Sequence, residues 1–203
     1  MLDSKAVLKV EPSSETFSHW INQDFISEDL RYELVNKNLL LIPCKGHADN
    51  TEALYFPNGT EEFFDFLKQA QTEDFKVDIC IEEHEFAELA LHFDVMTVTH
   101  FIVSNLAFPT AAELLAEYIK ERLRSRLSKT ELHVDFTVVM DEQNNRSLRF
   151  SYRGPASEYR ATIQSTVQSL NDMPASSFEN QPSTTGKLAE KNRKSSKRNR
   201  TKS

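Results

Sequence analysis

Glycine is scarce in this sequence, and its scarcity argues against one large group of enzymes. The chain has four glycines among 203 residues, and none of them forms the glycine-rich loops that bring a backbone close to nucleotide phosphates. The patterns of zinc proteases, dithiol sites and α/β-hydrolase nucleophiles are also missing from the sequence. The sequence therefore holds no complete catalytic or cofactor motif, and we expect no cofactor.

Cysteine is equally rare, which excludes a disulfide framework and a site built from several thiolates. The two cysteines, Cys44 and Cys80, lie beside or within apolar runs. Two thiols are too few for either structure. We expect both to be small buried hydrophobic side chains.

Long apolar runs are absent as well. The longest, residues 95–108, is shorter than a membrane span and contains threonine, histidine, serine and asparagine. Residues 1–10 do not have the basic start and apolar stretch of a secretory signal. We therefore expect a soluble, cytoplasmic protein without a membrane partner.

Positive charge is concentrated at one end of an otherwise acidic chain. Residues 187–203 hold eight basic residues and one acid, a net charge of +7. Since the whole chain carries −7, residues 1–186 carry −14. This segment, with few apolar residues from 173 onward, predicts a disordered basic tail over 173–203. Such a tail could contact phosphates without reading sequence, or could serve solubility or pairing with the acidic body. The candidate nucleic-acid-binding residues are Lys191, Arg193, Lys194, Lys197, Arg198 and Arg200.

The periodicity of the remaining chain predicts an α+β fold. In the N-terminal part, residues 1–93, it predicts helical patches over 16–36, strands over 39–44, 53–56 and 75–81, and a turn over 45–50. Asn58 and Glu61 have capping-box spacing and predict a helix start at that point. On a helical wheel residues 83–93 group Phe86, Leu89, Ala90 and Phe93 on one side, which predicts a helix.

The C-terminal part, residues 94–172, predicts a more regular order. Residues 95–103 predict a strand, with a buried helix as the alternative. A helix that a Thr110–Glu113 capping box would open follows, then two alternating strands and a last helix. Strand, helix, strand, strand, helix is a partly ferredoxin-like order. The two parts could also form one continuous domain.

The two alternating strands of the C-terminal part carry the best candidate for a binding face. Their apolar residues share one side, which leaves His133, Asp135, Arg149 and Arg153 on the other. A sheet with helices on only one side would expose this polar face. We therefore predict that these four residues bind a protein partner, with an ordinary solvated surface as the alternative.

A weak metal-site candidate lies on the helix predicted over 83–93. His84, Glu88 and His92 would recur on one face of that helix, and histidine with carboxylate suits zinc. Positions eight residues apart lie about 12 Å apart along a helix, too far for one ion. We therefore expect no metal here.

Three functions remain open from the sequence. The first is a non-enzymatic interaction or regulatory protein, in which an acidic α+β body docks a protein partner and a basic tail tethers it. A nucleic-acid-associated accessory protein that uses the tail is the first alternative. A hydrolase with an unrecognised site, assisted by a metal, is the second.

Overall fold

A six-stranded mixed sheet with helices on both faces forms the centre of the protein. The computed structural model describes residues 5–48, 51–89, 95–124, 127 and 130–171, and residues up to Gln168 belong to one compact unit. The strands are β1 (Val7–Ser13), β2 (Leu39–Leu41), β3 (Cys44–Ala48), β4 (Thr51–Pro57), β5 (Val77–Ile79), β6 (Glu88–Leu89), β7 (Val95–Ser104), β8 (Glu131–Asp141) and β9 (Arg146–Pro155). The helices are α1 (Phe17–Ile21), α2 (Glu28–Leu34), α3 (Thr60–Gln69), α4 (Phe108–Leu123) and α5 (Ala156–Asn171).

The main sheet combines strands from both predicted parts of the chain, residues 1–93 and residues 94–172. Its order is β1-β9-β8-β7-β2-β5, and a small second sheet has the order β3-β4-β6. The element order predicted for the C-terminal part is confirmed. In a ferredoxin-like unit another strand splits the strand-helix-strand crossover, whereas here β7 and β8 are parallel neighbours and β9 pairs antiparallel outside β8.

Aromatic side chains fill the first face of the sheet, which we call the helix face because α3, α4 and α5 cover it. Phe136 stacks between Phe101 and Phe150, with ring centroids 5.2 and 4.8 Å apart. Phe108 of α4 packs on Phe136 and Phe150, and α5 adds Tyr159, whose ring meets that of Tyr152 edge-on. The alternation of β8 and β9 produces this core, because every second residue points to the same side.

A second core lies on part of the opposite face. Helices α1 and α2 pack there, and the buried residues of this core are Ile26, Leu30, Leu34, Leu40, Ile42, Cys80, Ile102 and Val139. Both helices start at side-chain caps, since Thr16 accepts from the His19 amide and Ser27 from the Leu30 amide. Because α1 and α2 cover only some of the strands, this second face is divided into a covered half and an open half.

Four local predictions were wrong. Residues 44–48 form β3 rather than a turn, and α4 begins at Phe108 rather than at a Thr110 cap. The cap of α3 is Gly59, with φ +90°, and not Asn58. Residues 83–89 form a 3₁₀ turn at Glu83–Glu85 and strand β6, not a helix.

Candidate functional site

The polar residues of β1, β9 and β8 form three rows across the open half of the second face. Register pairs Val7 with Arg153 and Arg153 with His133, and it places Lys9, Ser151 and Asp135 in the next row. The third row contains Glu11, Arg149 and Thr137. Paired residues on neighbouring strands point to the same side. We call Lys9, Glu11, His133, Asp135, Arg149 and Arg153 the polar face.

A half-buried ion pair lies at the middle of the polar face. Arg153 Nη2 donates to Asp135 Oδ2 at 2.7 Å, and Arg153 Nη1 donates to the Tyr152 carbonyl. Burial by itself would raise the pKa of Asp135. Hydrogen bonds from Arg153 and Ser151, together with the charges of Arg153 and Arg149, outweigh burial and hold that pKa below its ordinary value. Asp135 is therefore ionised at neutral pH.

A partly buried chain of hydrogen bonds, formed by Glu15, Thr137 and His100, lies where the open and covered halves meet. Thr137 is fully buried and donates to Glu15 Oε2 at 3.0 Å, while His100 Nε2 lies 3.2 Å from the same hydroxyl oxygen. Because the single hydroxyl proton goes to Glu15, His100 must donate through a protonated Nε2. Glu15 also pairs with Arg149 at 3.7 Å, and this ion pair connects the chain of hydrogen bonds to the polar face.

Burial controls the protonation of His100. Desolvation lowers the pKa of His100 to about 4, and Arg149 acts in the same direction, while Glu15 and Asp135 oppose both. The imidazole is therefore neutral at pH 7. The ring of Trp20 from α1 packs edge-on against it at 6.3 Å, so the covering helices shield His100 from water.

The outer charges of the polar face also have partners within the protein. Lys9 pairs with Glu11 at 2.7 Å, and His133 Nε2 lies 3.2 Å from Glu131 Oε1. Positive and negative groups thus alternate over the surface, and neither sign dominates. A surface of this kind matches a partner of mixed charge better than a phosphate polymer.

A carboxylate from the hairpin turn fixes the helices that cover the other half. Glu142 accepts from the Ser18 and Phe17 amides at 2.8 and 3.2 Å, which satisfies free amides at the start of α1. The β8–β9 turn therefore holds the start of α1 in place beside the border between the two halves.

The structure brings together the four residues predicted for the partner face. The metal candidates His84 and Glu88 do not lie on the helix predicted for them. Glu88 accepts from the Gly59 and Glu61 amides at 2.9 and 2.7 Å and so caps α3. His84 is exposed in the 3₁₀ turn, and His92 lies outside the described residues. In the part of the chain that the structure describes, no three His, Cys, Asp or Glu side chains are grouped to hold a metal.

The predicted tail residues, from Lys191 to Arg200, lie outside the described residues.

The two cysteines are both unpaired. Cys80 is fully buried and Cys44 partly buried. Burial, reinforced by Asp78, raises the pKa of Cys80 to about 12, and burial with Asp135 raises that of Cys44. Raised pKa values make both thiols poor nucleophiles at neutral pH.

Glu15 and His100 were missed by the sequence reasoning. His100 stands in the apolar run of β7, and a polar residue in a buried strand must find a hydrogen-bond partner. That signal was available in the sequence. The partner was not, because Glu15 comes from a segment more than eighty residues away.

Comparisons with known proteins do not extend this picture. The sequence matches no protein-family model, and no curated protein or solved structure is significantly similar to it. None of the helices in the described residues is long and apolar enough to cross a bilayer.

Proposed function

We propose that this protein is a non-enzymatic interaction or regulatory protein that docks a protein partner on its polar face. One observation carries the proposal: the second face of the sheet is covered by α1 and α2 over one half and presents ordered, half-exposed ion pairs over the other. Arg149 and Arg153 keep 44% and 41% of their side-chain surface. Arginine side chains held by a rigid sheet lose little entropy on binding.

The geometry of the hydrogen bonds among Glu15, Thr137 and His100 favours this proposal over nucleophilic catalysis. A hydroxyl nucleophile needs a base that accepts its proton and an open path to the substrate. Thr137 is fully buried and gives its proton to Glu15, while His100 Nε2 already carries a proton of its own. The constellation of Glu15, His100 and Thr137 is better suited to holding the N-terminal segment on the sheet.

The test compares two double substitutions that are matched in chemistry and differ in place. R149Q/R153Q removes two half-exposed, ion-paired arginines from the polar face. R122Q/R160Q removes two arginines that pair with Glu62 and Glu113 on helices α3 and α4. The carboxylates of the control pairs are exposed. Asp135 and Glu15 keep only 28% and 24% of their side-chain surface, but they retain hydrogen bonds from Ser151 and Thr137. The effects of both doubles on stability should therefore be small.

Affinity purification with quantitative mass spectrometry of the wild type and both doubles provides the measurement. We expect at least one partner to be retained by wild type and R122Q/R160Q and lost by R149Q/R153Q. With that partner purified, the polar-face double should raise its Kd about fivefold or more. Identical partner sets and identical Kd values for the two doubles would refute the proposal.

The segregated charge of the chain supports a second candidate function. The basic residues at 187–203 could hold a nucleic acid while the acidic body is repelled by it. A duplex-binding assay should then show steep salt dependence that disappears when residues 187–203 are removed. Binding that survives this truncation would exclude the tail as its source.

We propose the cytoplasm as the compartment for either function, consistent with two free thiols.

A further inference from the structure

Strand β1 forms one border of the main sheet and leaves a long edge open. Its seven residues pair with β9 on one side, and no strand of the described residues pairs with its other side. Two valines on this strand remain accessible, Val7 with 57% and Val10 with 45% of their surface exposed. An edge of this kind can accept another strand through its free amides and carbonyls.

The residue pattern of β1 is complementary to itself when the strand is turned end for end. If Val10 faces Val10 of a second copy, Lys9 faces Glu11, Leu8 faces Pro12 and Val7 faces Ser13. Each opposed pair lies on the same side of the sheet, as antiparallel pairing requires. A two-fold axis through Val10 then produces two Lys9–Glu11 pairs and a continuous apolar strip on the helix face.

Other two-fold registers near the middle of the strand are unfavourable. Because side chains alternate between the two faces, a symmetric register can move only in steps that keep each residue on its own side. Moving the axis to Lys9 opposes lysine to lysine, and moving it to Glu11 opposes glutamate to glutamate. Like charges directly opposite each other destabilise strand pairing. The charges of β1 therefore select the register centred on Val10.

The neighbours of β1 favour the same register. Val10 pairs with Phe150, which is fully buried in the aromatic stack on the helix face. A second Val10 beside the first would extend that core across the strand border. Pro12 lacks an amide proton and removes at most one hydrogen bond from each strand. Charged residues and proline protect an edge from unspecific pairing, but here they are compatible with one partner.

We propose that two copies of this chain form a symmetric dimer through antiparallel pairing of their β1 strands, centred on Val10. The partner is a second copy of the chain, and the charge complementarity of Lys9 and Glu11 specifies it. The dimer would join the two main sheets and place the two polar faces side by side. It is independent of whether the polar face binds another protein.

Charge reversal at β1 tests the proposal with the full-length protein. Sedimentation equilibrium should show a dimer for the wild type. Lys9→Glu and Glu11→Lys each create two like-charge pairs and should raise the dimer dissociation constant about tenfold or more. Both positions are well exposed, so thermal melting should show folded proteins for both variants.

Mixing the two variants provides the decisive control. One variant then offers two glutamates and the other two lysines, so that a mixed dimer regains both opposite-charge pairs. Native mass spectrometry should detect this mixed dimer and few same-variant dimers, and the K9E/E11K double should dimerise like the wild type. A monomeric wild type, or dimers that are indifferent to these charges, would overturn the proposal.

Discussion

The two halves of the second sheet face meet on strand β8 but have opposite chemistry. Strand β8 contributes His133 and Asp135 to the open half, Thr137 at the border and Val139 to the covered half. Where α1 and α2 pack, the strands carry aliphatic side chains, and where no helix of the described residues packs they carry paired charges. One sheet face can therefore be apolar where helices cover it and polar where they do not. On β8 the change from one to the other occurs at Thr137.

The largest expected effect lies in the covered half. Leu34 of α2 is 1% exposed, so Leu34→Ala removes buried methyl groups and leaves a cavity, which should cost about 2–5 kcal/mol. Val35→Ala at the C-cap of this helix should cost less than about 0.5 kcal/mol, because Val35 is exposed. Urea unfolding of both variants measures the difference. Equal losses would mean that α2 does not form a core with the sheet.

The next effect depends on pH and concerns His100 at the border. The unfolded chain takes up a proton at this imidazole near pH 6.5, but the folded chain only near pH 4. Between these values acid favours the unfolded state, so stability is complete above pH 6.5 and falls as the pH drops to 4. The expected loss is roughly 2–3 kcal/mol.

His100→Gln is the matched control for this pH effect, because glutamine can still donate to Thr137 but does not titrate. The unfolding free energy of the wild type minus that of the variant should fall by roughly 2–3 kcal/mol as the pH drops from 6.5 to 4. The charged groups around His100 (Glu15, Arg149 and Asp135) remain in both proteins. Parallel pH profiles for the two proteins would show that His100 does not titrate in a buried site.

A smaller effect is expected when the hydroxyl at the border is removed. Thr137→Val preserves shape but deletes the bond to Glu15 and the acceptor of His100, and should cost about 1–3 kcal/mol. The control is Thr97→Val on strand β7, where Thr97 pairs with His133 of the open half. It should change stability by less than about 0.5 kcal/mol. Thermal melts resolve the two cases. A neutral Thr137→Val would remove the buried chain as a structural element.

Much of the C-terminal part was predictable from local pattern, because the alternation of β8 and β9 directly reports which side is buried. The prediction failed at residues 83–89, where contacts distant in sequence decide the conformation. Phe86 stacks on Phe56 at 5.2 Å, and Glu88 caps α3. Periodicity within a segment cannot register either contact, so a helical wheel fitted a segment that forms a turn and a strand.

The candidate site was predictable in composition but not in extent. The four predicted residues do share one face, since a two-residue period fixes their side. The contribution of β1 to that face depends on pairing between segments more than 130 residues apart. The anchoring of α1 depends on Glu142, 124 and 125 residues further along the chain. Sequence periodicity contains no information on which distant strand will be the neighbour.

The smallest predicted effect tests the central claim most directly, namely that the open half serves binding and not folding. The measurement is the unfolding free energy of R149Q/R153Q by urea denaturation at neutral pH, with R122Q/R160Q as the reference. Exposed or half-exposed ion pairs contribute little, so we predict a loss below about 1 kcal/mol for each double. A loss above about 2 kcal/mol for the polar-face double alone would show that its ion pairs maintain the fold, and would contradict the account.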